Sequence, residues 1–192
     1  MRNRISLLRF YCLIKDFYGV SSTHWCEWNI AYLQECFGDR LTFIQSNIND
    51  LQAMRTLLLT YQFEALIHFA ASLIVGESVL KPLQYYINNT INTTHLINLC
   101  VECNVNNFIF SSTAAVYGEP DISLIPIDEN APLLPINPYG ASKMMSERVL
   151  SDTAKVIENF NYVALRYFNV AGASMDNTQE LLSQHKGLGQ RS

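Results

Sequence analysis

Tyr139 and Lys143 are the two residues of this 192-residue chain whose types and spacing are best suited to chemistry. They stand four apart, so on a helix their side chains lie on one face, one turn apart. An ammonium beside a phenol favours the phenolate, which lowers an ordinary pKa of about 10 toward neutral pH. Tyr139 is therefore a candidate general base. The spacing alone is weak support, because tyrosine and lysine also occur four apart on solvated helix faces.

Polar residues that follow two apolar runs strengthen the assignment. The run that begins at Asn107 ends in the hydroxyl residues Ser111, Ser112 and Thr113, and the run that begins at Tyr162 leads to Asn169. Such runs are typical of buried parallel strands, and open α/β sheets bind their ligands at the carboxyl ends of those strands. The pattern predicts that the hydroxyl residues, the Tyr139 helix and Asn169 meet at one crevice.

The elements needed to position these groups alternate along the chain. Alternation of strands and helices predicts an α/β fold with a doubly wound parallel sheet. A proline-containing surface loop is predicted over residues 121–138, just before the catalytic helix. The predicted strands are Leu41–Gln45, Ala65–Phe69, Asn107–Ser111 and Tyr162–Tyr167, and the predicted helices are Asp50–Tyr61, Pro82–Cys103 and Tyr139–Glu158.

Seven segments between about residues 41 and 173 resemble, in order and spacing, the extended short-chain dehydrogenases/reductases, and within them the UDP-glucose 4-epimerase family. These segments are His68-Phe-Ala-Ala71, Val75-Gly-Glu-Ser-Val79, Pro82-Leu-Gln-Tyr-Tyr-Ile-Asn-Asn89, Phe108-Ile-Phe-Ser-Ser-Thr113, Val116-Tyr-Gly118, Asn137-Pro-Tyr-Gly-Ala-Ser-Lys143 and Arg166-Tyr-Phe-Asn169. The resemblance implies a Rossmann-like domain with NAD as cofactor and a UDP-sugar as substrate.

The resemblance also implies the reaction and a role for each matched residue. NAD takes a hydride from C4 of a UDP-hexose while Tyr139 removes the hydroxyl proton, and the transient 4-keto sugar turns before the hydride returns. Lys143 matches the lysine that binds the nicotinamide ribose, Thr113 the hydroxyl that bonds the sugar, and Asn169 a substrate diphosphate contact. The implied cofactor-binding residues are Asn47, Ile48, Phe69, Ala70, Ala71, Asn89, Ser111, Ser112, Tyr139, Lys143 and Tyr167, and the implied substrate-binding residues are Thr113, Tyr139 and Asn169.

Both ends of the chain depart from the family pattern. The family opens with a strand and a glycine-rich turn that cradles the cofactor pyrophosphate, whereas the first 20 residues here hold one glycine, Gly19. We expect residues 1–29 to be an atypical segment, residues 30–173 a partial Rossmann domain without the first strand and glycine-rich turn, and residues 174–192 the start of a largely missing substrate domain. Leu73 stands where many epimerases carry a lysine that faces the cofactor.

Two alternatives to an active epimerase bear on function. A nucleotide-sugar 4,6-dehydratase is disfavoured, because that relative places an acidic pair after the threonine, whereas Thr113 is followed by Ala114 and Ala115. A truncated, inactive relative that serves only as a folded fragment or binding subunit remains open. The resemblance further suggests a homodimer through residues 82–103 and 139–158.

Composition excludes several other classes of protein. With 49% hydrophobic residues, 16% charged residues and a net charge of −4, we expect an ordinary soluble, cytoplasmic protein that binds neither nucleic acid nor membrane. Cys100 and Cys103 have no second cysteine pair or nearby histidine, so they predict a buried reduced pair, and we predict no metal site. His68 is expected to be a core histidine.

Overall fold

The computed structural model describes residue 44 and residues 46–169. It contains three parallel strands in the order β1 (Ala65–His68), β2 (Asn107–Ser111) and β3 (Asn161–Leu165). In the register, His68 pairs with Phe110, and Phe110 pairs with Ala164. The carboxyl ends of all three strands therefore lie at one edge of the sheet. The predicted parallel α/β sheet is confirmed; the predicted strand at Leu41–Gln45 lies outside the described residues except for Ile44.

The helices agree with the prediction in number of major segments but not in every boundary. The first, α1 (Leu51–Tyr61), begins after Asp50, whose side chain accepts a hydrogen bond from the backbone N–H of Ala53 at 3.0 Å. It ends at Gln62, which adopts a left-handed conformation. A short helix that the sequence analysis did not predict, α2 (Val75–Leu80), follows β1.

The predicted single helix Pro82–Cys103 is in fact interrupted. It comprises α3 (Pro82–Tyr85), a π-helical segment (Tyr86–Ile91) and α4 (Asn92–Glu102). π-Helical turns inside α-helices often occur at functional sites. Here the segment carries the buried Asn89, whose contacts are described below.

The predicted catalytic helix is α5 (Pro138–Val156), which begins one residue earlier and ends two residues earlier than expected. Its first turn is defined by Asn137, whose side-chain oxygen accepts from the backbone N–H of Gly140 at 2.8 Å, and by Pro138 at the first helical position. Two 3₁₀ turns, Ala114–Tyr117 and Ile122–Leu124, lie between β2 and α5.

One face of the sheet carries the hydrophobic core. Phe108 and Phe110 of β2 are buried there against side chains from α1, α4 and α5. The remaining core residues include Met54, Leu58, Leu96, Ile97, Leu99, Cys100, Val105, Leu150 and Phe160. Cys100 and Cys103 are buried and free, as the sequence predicts, and burial raises the pKa of the Cys100 thiol to about 12. None of the described helices is long and apolar enough to cross a membrane.

Candidate active site

Tyr139 and Lys143 occupy the first turns of α5, beside the carboxyl end of β2. Burial raises the pKa of the Tyr139 phenol, while a hydrogen bond with the Thr113 side chain acts in the opposite direction. Thr113 is the residue at which the 3₁₀ turn Ala114–Tyr117 begins, and its side-chain oxygen accepts from the backbone N–H of Ala115 at 3.2 Å. The structure therefore brings the predicted base and the predicted hydroxyl together.

Lys143 is only 1% exposed. Its ammonium donates to the backbone carbonyl of Ser111 at 2.7 Å and lies 4.8 Å from the centroid of the Phe110 ring. Burial lowers the pKa of Lys143 to about 7, and the Glu147 carboxylate opposes that shift. A lysine whose pKa lies near neutral pH is characteristic of functional sites.

The expectation that Lys143 depresses the pKa of Tyr139 is not met. Desolvation dominates at the phenol, and the other influences on its pKa come from Thr113 and Tyr167 rather than from Lys143. The physical reason lies in the direction of the ammonium, which donates to the end of β2 and lies over the Phe110 ring. Thr113 is thus the group that favours the phenolate in this structure.

The other predicted residues at the strand ends fall on the same edge of the sheet. Phe69 is exposed after β1, with Ala70 and Ala71 half-buried behind it. The Tyr167 hydroxyl donates to Ser111 Oγ at 2.8 Å, and the Tyr167 carbonyl accepts from the Ala114 N–H at 3.1 Å. These contacts join the chain after β3 to the chain after β2.

The other predicted site residues are Asn47, Ile48 and Asn169. Asn169 is exposed at the last described position, and Asn47 is exposed before α1, where its side-chain oxygen accepts from the Asn49 N–H at 3.0 Å. Ile48, in contrast, is buried in the hydrophobic core. Cofactor contacts by Asn47 and Ile48, and a substrate contact by Asn169, stay predictions.

Asn89 and Ser112 are buried and have protein partners. The Asn89 side-chain oxygen accepts from the Ser72 N–H at 2.8 Å, and its amide donates to the Ser72 carbonyl at 3.0 Å and to Ser142 Oγ at 3.1 Å. Asn89 therefore ties the loop after β1 to α5. Ser112 Oγ donates to Glu147 Oε1. A direct cofactor contact by either side chain stays a prediction, and the structure gives both a role in holding the site together.

His68 is a neutral core residue, as the sequence predicts. It is buried beside Phe108 and Phe110, and its Nε2 lies 2.9 Å from the Thr93 hydroxyl oxygen. Burial, reinforced by the nearby Lys143 charge, lowers the pKa of His68 to about 3. Its burial, its aromatic neighbours and its contact with Thr93 make it a packing residue of the core.

The buried His68 predicts how stability depends on pH. Its folded-state pKa lies below the ordinary value of about 6.5, so the unfolded chain binds a proton that the folded chain refuses as pH falls from about 6.5 toward 3. We expect urea unfolding to show a loss of stability in that window of up to about 1.4 kcal/mol per pH unit from this group. His68→Gln, which can still pair with Thr93, should weaken that pH dependence, whereas His95→Gln on the exposed face of α4 is the control. Equal pH dependence in His68→Gln and the unsubstituted chain would contradict the prediction.

Two residues that contribute strongly to this edge were not singled out from the sequence. Glu147 lies one turn after Lys143 and pairs with Arg166 at 2.7 Å, an ion pair of which the Glu147 side chain is 7% exposed. The i, i+4, i+8 spacing of Tyr139, Lys143 and Glu147 was a readable signal, since it places all three on one helical face. For Arg166, the sequence offers only its place in a segment that matches the family.

These features define a Rossmann-like domain with a tyrosine/lysine site at the carboxyl edge of a parallel sheet, the architecture of short-chain dehydrogenases/reductases. Residues 20–186 match the NAD dependent epimerase/dehydratase family. The chain belongs to that family.

Individual relatives agree with this assignment. A UDP-glucose 4-epimerase of Azospirillum brasilense is 44% identical over 140 residues, which is 73% of this chain and 39% of the relative. The structure of the UDP-Glc/GlcNAc 4-epimerase of Campylobacter jejuni is 46% identical with a TM-score of 0.71, and covers 86% of this chain and 46% of that one. The UDP-glucose 4-epimerase of Bifidobacterium longum, solved in complex with NAD+ and UDP, is 36% identical with a TM-score of 0.70, and covers 75% of this chain and 43% of that one. The chain spans about two fifths of the length of the curated relative.

Proposed function

We propose that this chain carries the cofactor-binding and catalytic part of a UDP-glucose 4-epimerase, which interconverts UDP-galactose and UDP-glucose with NAD. The observation that carries the proposal is the convergence of Thr113, Tyr139 and Lys143 at the carboxyl edge of the sheet. The Thr113 side chain is close enough to lower the pKa of the Tyr139 phenol, and Lys143 is buried one helical turn away with its ammonium fixed to the end of β2. The relatives of known structure include one that binds NAD+ and UDP.

The residues present fit the nicotinamide end of the cofactor. Lys143 is a buried ammonium with three donor protons, and its hydrogen bond to protein within the described part of the chain goes to the Ser111 carbonyl. Donors remain for ribose hydroxyls at this position. The exposed Phe69 and the neighbouring Ala70 and Ala71 offer an apolar surface after β1 at the same sheet edge.

Each site residue has a defined task in this reaction. Bound NAD would supply the acceptor for the C4 hydride and return it to the other face of the sugar. Tyr139 takes the C4 hydroxyl proton and gives it back, and Thr113 donates to or accepts from the sugar oxygen while it holds the phenol. Lys143 holds the ribose and keeps positive charge near the reacting groups. Epimerisation is favoured over dehydration because Ala114 and Ala115, which follow Thr113, provide no acid to protonate a leaving hydroxyl.

The proposal is tested by two measurements on the purified chain. Isothermal titration with NAD measures cofactor binding, and proton NMR of the anomeric signals follows conversion of UDP-galactose to UDP-glucose with excess NAD. We expect binding and conversion to the same equilibrium mixture from either sugar. A folded chain that neither binds NAD nor converts the sugar would refute the activity for this chain and leave the alternative of a folded fragment or binding subunit.

We also propose that the chain forms a homodimer through the helices at residues 82–103 and 139–158. Leu83, Ile87 and Ile91 form a row of exposed apolar side chains spaced by four, and Met145 adds a further exposed apolar group on α5. Burial of such a row against a second copy would remove apolar surface from water. The row supports this face as the one that pairs.

The proposed dimer predicts that one carboxylate introduced into the apolar row prevents two chains from associating. Ile87→Glu puts a carboxylate in the middle of the apolar row, where desolvation of an unpaired charge opposes association. We expect light scattering to report twice the chain mass of 21.9 kDa for the unsubstituted protein and 21.9 kDa for the variant. Ile122→Glu, at an exposed residue of the 121–138 loop, is the matched control and should stay dimeric. A monomeric unsubstituted chain would overturn the proposal.

A further inference from the structure

Glu147 and Lys143 contact two consecutive residues at the end of β2. The Lys143 ammonium donates to the Ser111 carbonyl at 2.7 Å, and the Ser112 hydroxyl donates to Glu147 Oε1. Since Lys143 and Glu147 are one helical turn apart, the two contacts are successive links between the same face of α5 and the same strand end. Glu147 therefore fixes how α5 lies on β2 at the level of the catalytic pair.

The Glu147 carboxylate is itself held by Arg166. The guanidinium donates to both carboxylate oxygens, with Nη2 at 2.7 Å from Oε2 and Nε at 3.1 Å from each oxygen. Its Nη1 donates to the Tyr117 hydroxyl at 2.8 Å and to the Glu129 carbonyl at 2.9 Å. One ion pair thus connects α5 to the chain after β3, the 3₁₀ turn after Thr113 and the loop before the helix. A charge-assisted, bidentate ion pair of this kind restricts the relative positions of the two side chains.

We propose that Glu147, held by Arg166 and Ser112, is a positioning residue for the tyrosine/lysine site, which keeps Lys143 charged and directed at the end of β2. Glu147 acts on the site through Lys143 and through the orientation of α5 on β2, without a contact to substrate. The proposal deepens the proposed function of the same site and rests on it, but its test uses no turnover. Failure of one can therefore be told apart from failure of the other.

The electrostatic part of the argument depends on the groups around Lys143. His68 on β1 is neutral near pH 7 because of its burial, and Tyr139 on α5 and Tyr167 after β3 are phenols. Glu147 is the neighbouring group that favours the cation, whereas burial opposes it. Arg166 stays charged, since its pair with Glu147 raises its pKa.

The test is an NMR titration of lysines labelled with carbon-13 at Cε. The chain has five lysines, at positions 15, 81, 143, 155 and 186, so the spectrum is simple, and Lys143→Arg assigns the signal by its disappearance. In Glu147→Gln, which keeps the size and an oxygen for Ser112, we expect the midpoint of the Lys143 titration to fall by about one pH unit, a tenfold change in the protonation equilibrium. Glu147→Asp keeps the charge but draws the carboxylate back by one methylene from Ser112, so we expect a midpoint between those of Glu147→Gln and the unsubstituted chain. Glu102→Gln, which breaks the exposed pair with Arg55, is the control and should change nothing.

An unchanged Lys143 midpoint in folded Glu147→Gln would overturn the proposal and leave Glu147 as a packing residue alone. If Glu147→Gln does not fold, as judged by amide dispersion, the same titration of Ser112→Ala decides. That variant keeps the Glu147–Arg166 pair but frees the carboxylate from the end of β2, and we expect the Lys143 midpoint to fall. A midpoint equal to that of the unsubstituted chain in Ser112→Ala would then overturn the proposal.

Discussion

For the proposed epimerase reaction, Tyr139→Phe is expected to lower the rate of UDP-galactose conversion about a thousandfold, within the range by which a positioned acid or base accelerates proton transfer. The variant keeps the ring and loses only the hydroxyl that Thr113 bonds. Because the proton of the sugar hydroxyl then has no acceptor, the hydride cannot leave C4 without building up an unstable protonated ketone. NAD binding and the unfolding midpoint should change little.

The matched control is Tyr162→Phe. Tyr162 lies near the amino end of β3, at the opposite edge of the sheet from the site, and its ring packs against the core. We expect this variant to retain the rate of the unsubstituted chain. The measurement is the initial rate of anomeric signal change at saturating UDP-galactose with NAD in excess. A Tyr139→Phe rate within tenfold of that of the unsubstituted chain would show that another group takes the proton.

Gly118→Ala is expected to cause a larger loss of stability than alanine at either of the other described glycines, Gly76 and Gly140. Gly118 has φ of +68°, a conformation that side chains rarely adopt, and an added Cβ would lie 2.0 Å from the Leu134 carbonyl oxygen. Strain of the backbone contributes on the order of 1–3 kcal/mol, and the contact with a backbone atom adds to it. We expect a total loss of about 3 kcal/mol or more, measured by urea unfolding.

Gly76→Ala tests whether glycine replacement by itself accounts for such a loss. Gly76 lies in α2, and an added Cβ there would have no atom within 4 Å. Because alanine favours the helix over glycine, this substitution should stabilise the chain by about 0.5–1 kcal/mol. A Gly118→Ala variant as stable as Gly76→Ala would contradict the geometry of the turn that leads from Tyr117 toward the 121–138 loop.

Features set by local sequence were predictable, whereas those set by long-range contacts were not. Strand β2 has the predicted bounds, Asn107–Ser111, since its apolar run and the polar residues after it are local signals. The start of the helix carrying Tyr139 and Lys143 was predicted to within one residue, because the prediction placed Pro138, the first helical residue, in the preceding loop. In contrast, the π-helical segment depends on the partners of Asn89, which are 17 and 53 residues away in the sequence.

The candidate site likewise has features that the local sequence predicts and features that long-range contacts determine. Tyr139 and Lys143 were singled out by their spacing. Thr113 was one of three hydroxyl residues expected after a strand, and the family resemblance distinguished it from Ser111 and Ser112. The direction of the Lys143 ammonium was not predicted, because it is fixed by the Ser111 carbonyl and the Phe110 ring of a different element. Glu147 and Arg166 are 19 residues apart, and their pairing requires the parallel arrangement of β2 and β3 that only the fold supplies.

The π-helical segment also determines the direction in which the side chains that follow it project around the helix axis. In an α-helix with 3.6 residues per turn, four residues advance slightly more than one full turn, so a row of side chains spaced by four drifts around the axis. A π-helical turn contains more residues, so the same spacing falls short of one turn and the row drifts in the opposite direction. The row Leu83, Ile87 and Ile91 therefore runs straighter than it would on an uninterrupted helix, while Asn89 still points at Ser72 and Ser142. Deletion of one residue between 86 and 91 would restore ordinary winding, and it would rotate the outer row relative to the Asn89 contacts. The exposed face and the loop after β1 are thus kept in register by a single extra residue.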